Sequence, residues 1–352
     1  GAHRGPDPDD GSAGERALRA LLLAVSLARP TPVAPVLPPV LIPRLSAPVL
    51  PAPAVLFAPT LPAGRVYSAV QAPVSPDESL FAGLVGRPPR SVVGDYDNTL
   101  ADRGPNGLSL PVSNELVAAL ARLLRGGIPV ILASSRHYEV ADAPFPMDLK
   151  TFIDRLPRHL RRNLLVSGGV GSELVGFDAQ GRPIQLWSQG WGAEEAVIRA
   201  IAVQAAIDVG AELQTVLSPG QLILRLPQGD TRGPELARAV AARLQAAGFL
   251  YKVLQNKEFV YFSRSDKGQG LKGALAALPR PVAEADLLVL GDEFGLPDGG
   301  DAALAAAVPM ARSVSVGDAH SERLPPGVQR LRVKGGAGAL LVLKAVLAGL
   351  GL

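Results

Sequence analysis

A short apolar strand that runs into two aspartates constrains this chain more than any other stretch. Residues 91–94 read SVVG, and Asp95, Asp97 and Thr99 follow at alternating positions. Residues two apart on an extended chain point the same way, so both carboxylates are expected to project into one small volume. Ionised carboxylates held that close repel each other, and a bound cation, or a nucleophile beside an acid/base, explains such a pair. A strand followed by an Asx turn explains the same residues without chemistry.

Two later apolar runs also end in a polar side chain. Residues 128–133 predict a buried strand that ends at Ser134, and residues 287–290 predict another that ends in a Gly-Asp pair at Asp292. Residues 115–125 predict a helix between the first two strands, with leucines along one side. Strand, helix, strand is a parallel unit, and ligands of such sheets lie at the carboxyl ends of the strands. The polar ends are therefore expected to meet at one edge, although a turn-forming serine is the alternative interpretation of Ser134.

A lysine at the start of a predicted helix is a further candidate residue. Lys267 begins the sequence KGQGL, which predicts the start of a helix. A compact ammonium beside carboxylates would offset their negative charge. A solvated lysine in the first turn of a helix is the alternative, and Lys272 is the second choice if the helix starts later.

Taken together, these segments resemble the four motifs of the haloacid-dehalogenase-like (HAD) superfamily of phosphoryl-transfer enzymes. The motifs are DxDNTL at Asp95, a strand-end hydroxyl at Ser134, KGxxL at Lys267 and Gly-Asp at Asp292, in the same order. The resemblance covers the chain from about residue 90 to its C-terminus. It implies a Rossmann-like α/β core, with Asp95 as nucleophile, Asp97 as general acid/base, and Ser134 and Lys267 on the phosphoryl group.

The same resemblance implies the remaining site residues. Thr99, Ser135 and Arg136 are expected to bind substrate, Arg136 through a bidentate contact. Mg²⁺ is expected at Asp95, the backbone carbonyl of Asp97, and Asp292.

The fourth motif departs from the commonest HAD pattern. Leu296 stands where a second acid usually follows Asp292, and the loop continues to Asp298 and Asp301. This longer loop is similar to that of eukaryotic-type phosphomannomutases. We therefore expect Asp301 to be the second metal-site acid, acting through a metal-bound water, with Asp298 as the alternative.

The 132 or so residues between the second and third motifs exceed what one crossover needs, so an inserted domain is expected. Hairpins with Gly turns alternate there with two helices, which is typical of an α+β module. It resembles the C2-type cap of the Cof-like, sucrose-phosphate phosphatase and trehalose-phosphate phosphatase groups. We predict a core at residues 88–165 and 264–352, and a cap at residues 166–263. Candidate substrate contacts from the cap are Trp187, Arg225 and Lys252.

Residues 1–80 form a Pro/Ala/Val-rich extension in which recurring prolines disfavour helix and central strand. Residues 16–28 resemble a short signal-peptide core that is too short to span a bilayer, so no integral membrane segment is expected. Upstream acids suit export poorly, which favours the cytoplasm and leaves export open.

Composition narrows the chemistry further. The chain has no cysteine, which excludes disulfides, thiolate catalysis and Cys-based zinc sites. Its 35 basic and 32 acidic residues nearly balance, so no nucleic-acid partner is expected.

These observations predict a Mg²⁺-dependent phosphatase that acts on a small phosphorylated metabolite, a sugar phosphate by analogy, through an aspartyl-phosphate. A hexose-phosphate phosphomutase is one alternative, favoured by the unusual fourth motif. A non-catalytic binding module that keeps the HAD fold is another. The oligomeric state is left open.

Overall fold

A computed structural model describes residues 76–352 except 105–108, 140–148, 219, 228, 257–258, 296–299 and 318–322. The signal-like segment and nearly all of the N-terminal extension lie outside the described residues, as does Asp298.

A mostly parallel sheet of eight strands forms the centre of the fold. Its spatial order is β12-β11-β10-β1-β2-β3-β4-β5; the first six strands run parallel, and β4 and β5 continue the sheet antiparallel to their neighbours. The strands are β1 (Ser91–Gly94), β2 (Val130–Ala133), β3 (Leu164–Gly168), β4 (Glu173–Phe177), β5 (Pro183–Ser188), β10 (Leu287–Gly291), β11 (Arg312–Ser315) and β12 (Val328–Arg330). The predicted Rossmann-like α/β core is confirmed.

Helices cover both faces of this sheet. They are α1 (Pro76–Gly86), α2 (Asn114–Arg125), α3 (Lys150–Ile153), α6 (Lys267–Ala276), α7 (Gly300–Ala307) and α8 (Gly335–Gly349). One apolar cluster joins one face of the sheet to α1, α2 and α8, and a second joins the other face to α6 and α7. The side chain of Ser113 caps α2 by accepting a hydrogen bond from the backbone N–H of Leu116 at 3.2 Å.

A second, smaller sheet is inserted between β5 and α6. Its four antiparallel strands lie in the order β6-β7-β9-β8, and two helices pack on one of its faces. The elements are α4 (Glu195–Asp208), β6 (Gln214–Ser218), β7 (Gln221–Arg225), α5 (Gly233–Ala246), β8 (Lys252–Asn256) and β9 (Phe259–Ser263). The predicted repeat of helix, strand, strand is present, and residues 195–263 are called the inserted module below.

Two sequence-based boundaries need correction. The hairpin β4–β5, expected within the cap at residues 166–263, belongs to the core sheet, because β4 pairs with β3. Trp187 therefore packs in the core against α6, where an added Cβ on Gly273 would lie 3.3 Å from the indole nitrogen. Helix α1 begins inside the expected extension at residues 1–80, and its Leu80 and Leu84 are buried against the core.

No helix among the described residues is long and apolar enough to cross a membrane.

Candidate functional site

The turn after β1 sets the position of the first aspartate. The backbone N–H of Asp95 donates to the carbonyl of Leu290 on β10 at 2.9 Å, so Asp95 still lies within the sheet edge. The chain then reverses, and the N–H of Leu100 donates to the carbonyl of Tyr96 at 3.0 Å. Asn98 takes a φ of 55°, a left-handed conformation that Asn tolerates better than most residues. The side chain of Asp95 is only 4% exposed.

Lys267 reaches this carboxylate from the first turn of α6. Asp266 caps the helix by accepting from the N–H of Gln269 at 2.7 Å, which fixes where the helix begins. The Nζ of Lys267 donates to Oδ1 of Asp95 at 2.8 Å and to Oδ1 of Asp301 at 2.9 Å. The lysine is buried, whereas Lys272 is exposed, which removes the second choice.

Asp301 organises the loop after β10. This fully buried residue lies in the first turn of α7, and its Oδ2 accepts from the backbone N–H groups of Asp292 and Glu293 at 2.9 and 2.8 Å. A Cβ on Gly291 would lie 2.4 Å from that oxygen, so the strand has to end in glycine for the carboxylate to approach. Asp301 thus joins Lys267 to the backbone that presents Asp292.

Thr99 lies beneath the carboxylates. Its hydroxyl is 3.4 Å from an oxygen of Asp95 and 3.4 Å from an oxygen of Asp292, and its side chain is fully buried. In this structure the contacts of Thr99 are to these two acids, and the role in substrate binding expected for it stays a prediction.

Arg136 binds Asp97 through both arms of its guanidinium group. Its Nε and Nη2 donate to the two carboxylate oxygens at 2.8 Å each, and Nη2 also donates to Oγ of Ser109 at 2.9 Å. The hydroxyl of Ser109 donates to the same carboxylate. The guanidinium lies 5.3 Å from the ring centroid of Tyr96, close enough for a cation–π contact. The bidentate contact expected between Arg136 and a substrate is made here to Asp97.

The hydroxyl residues that follow β2 occupy the neighbouring strand end. β2 pairs with β1, so Ser134 lies at the same sheet edge as Asp95. Ser134 is fully buried and its Oγ accepts from the N–H of Arg136 at 3.1 Å. Ser135 is half-buried in the same turn.

Burial and like charge dominate the electrostatics of the acids. Burial raises the pKa of Asp95 to about 8; the charge of Lys267 acts against this rise, and the charge of Asp301 adds to it. Burial together with the charges of Asp301 and Asp95 also raises the pKa of Asp292 well above its ordinary value. Burial disfavours the charged form of Lys267, but the carboxylates of Asp301 and Asp95 outweigh it and hold the ammonium pKa well above its usual range.

Asp97 has the opposite balance. Burial alone would raise the pKa of Asp97, but the hydrogen bonds and charge of Arg136, with help from Ser109, more than offset it and leave that pKa below its ordinary value. In the metal-free protein these shifts favour the protonated form of Asp95 and the ionised form of Asp97, which is the reverse of what a nucleophile at Asp95 and a general acid at Asp97 would need.

The acid cluster fits a divalent cation. One carboxylate oxygen from each of Asp95, Asp292 and Asp301 lies within 4.8 Å of the others, and all three residues are buried. Hard oxygen donors of this kind suit Mg²⁺. Burial, and after it the repulsion among the three carboxylates, raises the pKa values of Asp95 and Asp292, and one lysine does not offset this. A bound cation would relieve the repulsion. These residues could thus hold a metal ion.

Sequence reasoning missed four residues around this edge: Arg103, Ser109, Tyr261 and Glu293. Arg103 and Ser109 lie in a Gly/Pro-rich loop without a periodic pattern, so no local signal singles them out. Tyr261 could have been found, because the apolar neighbours Val260 and Phe262 place it on the opposite face of β9.

Comparisons with known proteins agree with the architecture. No protein-family model matches the sequence, and no curated protein matches it. An IMP-bound mutant of the Plasmodium falciparum IMP-nucleotidase is similar in structure over 77% of this chain and 71% of its own, with a TM-score of 0.53 and 13% identity. The C-terminal domain of the C. albicans trehalose-6-phosphate phosphatase matches over 78% of this chain and 96% of its own, with a TM-score of 0.53 and 15% identity. Both are HAD phosphatases.

The chain has the HAD fold. The fold expected from the motifs is thereby confirmed. Within this HAD core the residues of the first, third and fourth motifs are in direct contact, through Asp95, Lys267 and the Asp292–Asp301 pair. The second motif supplies Ser134 one strand away.

Proposed function

We propose that this HAD protein is a Mg²⁺-dependent phosphatase that hydrolyses a small phosphorylated metabolite. The observation that carries the proposal is the contact of Lys267 with both Asp95 and Asp301, at 2.8 and 2.9 Å. It joins residues separated by 172 and 34 positions in the chain and buries an ammonium among acids at the carboxyl edge of a parallel sheet. A structural ion pair would not need a third aspartate, Asp292, facing the same point.

The metal site of this proposal uses Asp95, Asp292 and the backbone carbonyl of Asp97, with Asp301 behind them. When bound, Mg²⁺ supplies positive charge that polarises the phosphoryl oxygens. Its charge also favours the ionised form of Asp95, which a nucleophile requires.

Hydrolysis then proceeds in two displacements. A carboxylate oxygen of Asp95 attacks phosphorus, the bond to the leaving oxygen breaks, and Asp97 gives that oxygen a proton to release the alcohol. Water next attacks phosphorus, Asp97 takes its proton, and the bond to Asp95 breaks to release phosphate. Lys267 and Ser134 stabilise the charge on the phosphoryl group as it is transferred.

The pairing of Arg136 with Asp97 adds a condition to this cycle. A carboxylate held by two hydrogen bonds from a guanidinium is ionised and cannot donate a proton. Arg136 therefore has to loosen its contact, and Asp97 has to take up a proton from solvent, before Asp97 acts as general acid. An arriving phosphate is a suitable new partner for the freed guanidinium group.

The proposed substrate is a sugar phosphate. The inserted module fits the C2-type cap that closes over such sites, and the similarity to a trehalose-6-phosphate phosphatase supports this class. The similarity to an IMP-nucleotidase makes nucleoside monophosphates the competing class.

A phosphate-release screen tests the proposal. The purified chain is assayed against hexose phosphates, trehalose 6-phosphate and IMP, with Mg²⁺ or with EDTA, and Asp95→Asn serves as the control. We expect release that needs Mg²⁺ and falls by at least about a thousandfold in Asp95→Asn. An Asp95→Asn rate near wild type would refute the assignment. Formation of an isomeric hexose phosphate without phosphate release would instead identify a phosphomutase.

A further inference from the structure

Three hydrogen bonds hold the backbone around Arg136 in the loop after β2. The N–H of Arg136 donates to Oγ of Ser134 at 3.1 Å, and its carbonyl accepts from the N–H of Gly169 at 2.9 Å. Two residues further on, the N–H of Tyr138 donates to Oε1 of Glu173 at 2.6 Å. The first contact lies within the loop, whereas the other two come from the chain after β3. The point from which the guanidinium group extends is therefore set by a neighbouring strand end.

Glu173, the first residue of β4, is paired with a buried histidine. The side chains of Glu173 and His137 are 7% and 2% exposed, and Nδ1 of His137 lies 3.3 Å from the oxygen that accepts from Tyr138. Neither ring nitrogen of His137 makes a hydrogen bond within the described part of the chain. Buried polar groups need a partner, and the Glu173 carboxylate is the one that the described residues offer to this ring.

Two glycines at the end of β3 make room for this pair. A Cβ on Gly168 would lie 2.5 Å from Oε1 of Glu173 and 2.9 Å from the carbonyl oxygen of Arg136. Gly169 has a φ of 56°, and a Cβ there would collide with the ring of His137. A side chain at either position would push the carboxylate or the ring out of contact. The strand end is thus shaped to support the loop that carries Arg136.

The same segment, residues 168–173, also supports the first turn of α6. A Cβ on Gly171 would collide with the carbonyl oxygen of Asp266, the residue that caps the helix before Lys267. A disturbance of the segment could therefore reach a bound phosphate through Lys267 as well as through Arg136, and a test has to separate the two routes.

We propose that Glu173 and His137 are positioning residues that hold Arg136 where its guanidinium group can reach both Asp97 and the phosphoryl group of the substrate. Both act through the backbone: Glu173 binds the N–H of Tyr138, and His137 is the next residue after Arg136. A side chain that changes partner needs a fixed origin, because a displacement of about 1 Å can cost about a hundredfold in rate. The inference rests on the proposed function, which supplies the phosphate as the second partner.

The position of Arg136 can be measured in the metal-free protein without turnover. Its Nε–H donates to Asp97 at 2.8 Å, so its NMR signal should exchange slowly with solvent in protein whose arginines carry ¹⁵N. Arg136→Gln identifies the signal by removing it. Glu173→Gln keeps an oxygen that can accept from Tyr138 and removes the charge beside His137. We expect this variant to exchange the Arg136 proton at least about tenfold faster than wild type.

Replacements of His137 provide the conservative comparison. An asparagine amide can still donate to Glu173 from about the place of Nδ1, whereas a leucine side chain cannot. His137→Leu should therefore behave as Glu173→Gln does, and His137→Asn should stay within about twofold of wild type. These two variants also decide the test if Glu173→Gln does not fold.

Binding of inorganic phosphate in Mg²⁺ tests whether the effect passes through Arg136. Calorimetric titration compares wild type, Glu173→Gln, Arg136→Gln and the double variant. We expect Glu173→Gln to weaken phosphate binding about five- to tenfold in the wild-type background and less than twofold in the Arg136→Gln background. Equal factors in both backgrounds would mean that Glu173 acts by another route, through Lys267 or through general stability.

Leu84→Ala is the control for a loss of stability alone. It removes buried packing of α1 against the core. We expect its phosphate affinity and the exchange of its Arg136 signal to stay within about twofold of wild type.

Three results would overturn the inference. They are an Arg136 signal in Glu173→Gln as protected as in wild type, no difference between His137→Asn and His137→Leu, or equal phosphate losses for Glu173→Gln in both backgrounds. Failure of the proposed function looks different. Wild type would then neither bind phosphate in Mg²⁺ nor release it from a substrate, while exchange in the metal-free protein still reports whether Glu173 positions Arg136.

Discussion

Replacing Asp95 by Asn should remove activity while leaving the metal-free protein as stable as wild type or more stable at neutral pH. The unfolded chain releases the Asp95 proton near its ordinary pKa of 3.8, and the folded chain keeps it until about 8. Folding at neutral pH therefore requires proton uptake, and stability is lost as pH rises from about 4 to about 8.

The size of this effect follows from the pKa difference. A pH of 7 is about three units above the ordinary pKa of Asp95. Each unit lowers the free energy of unfolding by about 1.4 kcal/mol, so the loss of stability at pH 7 is on the order of 4 kcal/mol. A neutral amide avoids this penalty. The substitution also costs little electrostatic attraction to Lys267, because the Asp95 carboxyl of the wild type is mostly protonated at pH 7.

Urea unfolding followed by circular dichroism measures the effect, at pH 5.5 and pH 8 in EDTA. We expect the wild type to lose stability between the two pH values and Asp95→Asn to lose less, the remaining loss coming from Asp292, whose pKa is also raised. Mg²⁺ should stabilise the wild type more than the variant, since it binds the ionised carboxylate.

Asp154→Asn is the control, because this carboxylate is half exposed and pairs with Arg161 at 2.9 Å outside the site. It should cost about 1 kcal/mol or less at both pH values. If Asp95→Asn is less stable than wild type at pH 8 by more than about 1 kcal/mol, the Asp95 carboxylate is a stabilising ion-pair partner and the reasoning is wrong.

Three further changes test other parts of the structure. Asp301→Asn should lower the free energy of unfolding by about 3–5 kcal/mol, because an amide would replace the carboxylate that accepts hydrogen bonds from Lys267 and two backbone N–H groups. Urea unfolding measures this loss, and a loss below about 1 kcal/mol would contradict the assigned contacts. Arg136→Gln should raise the pKa of Asp97, so the alkaline limb of the kcat/KM profile, where the general acid loses its proton, moves to higher pH while activity falls about ten- to hundredfold. An unmoved limb would count against the pairing. Leu84→Ala should lower the free energy of unfolding by about 2–4 kcal/mol, because Leu84 is buried where α1 packs on the core. Thermal or urea unfolding measures this, and an unchanged stability would place α1 outside the core.

Much of the fold could be predicted from the sequence because its signals are local. The apolar run before Ser134 and the amphipathic stretch after Ser113 specify a strand and a capped helix through side-chain periodicity and one hydrogen bond. The order of such elements is enough to indicate a parallel sheet and the edge at which polar side chains meet. For the same reason Asp95, Ser134, Lys267 and Asp292 could be named in advance.

Long-range pairing decided the rest. The hairpin at residues 173–188 has the same local pattern whichever sheet it joins, and only its contact with β3 assigns it to the core. The helix at residues 76–86 follows a proline-rich stretch, and burial of Leu84 against the core shows that it is part of the fold.

The partners of the charged groups were likewise a matter of tertiary structure. Sequence names Arg136 and Asp301 as candidates, but a guanidinium or a carboxylate accepts any complementary group within reach. Only the packing of α7 against α6 and of the loop after β2 against the turn after β1 brought Lys267 to Asp301 and Arg136 to Asp97. Periodicity acts over a few residues, whereas these ion pairs depend on where distant segments meet.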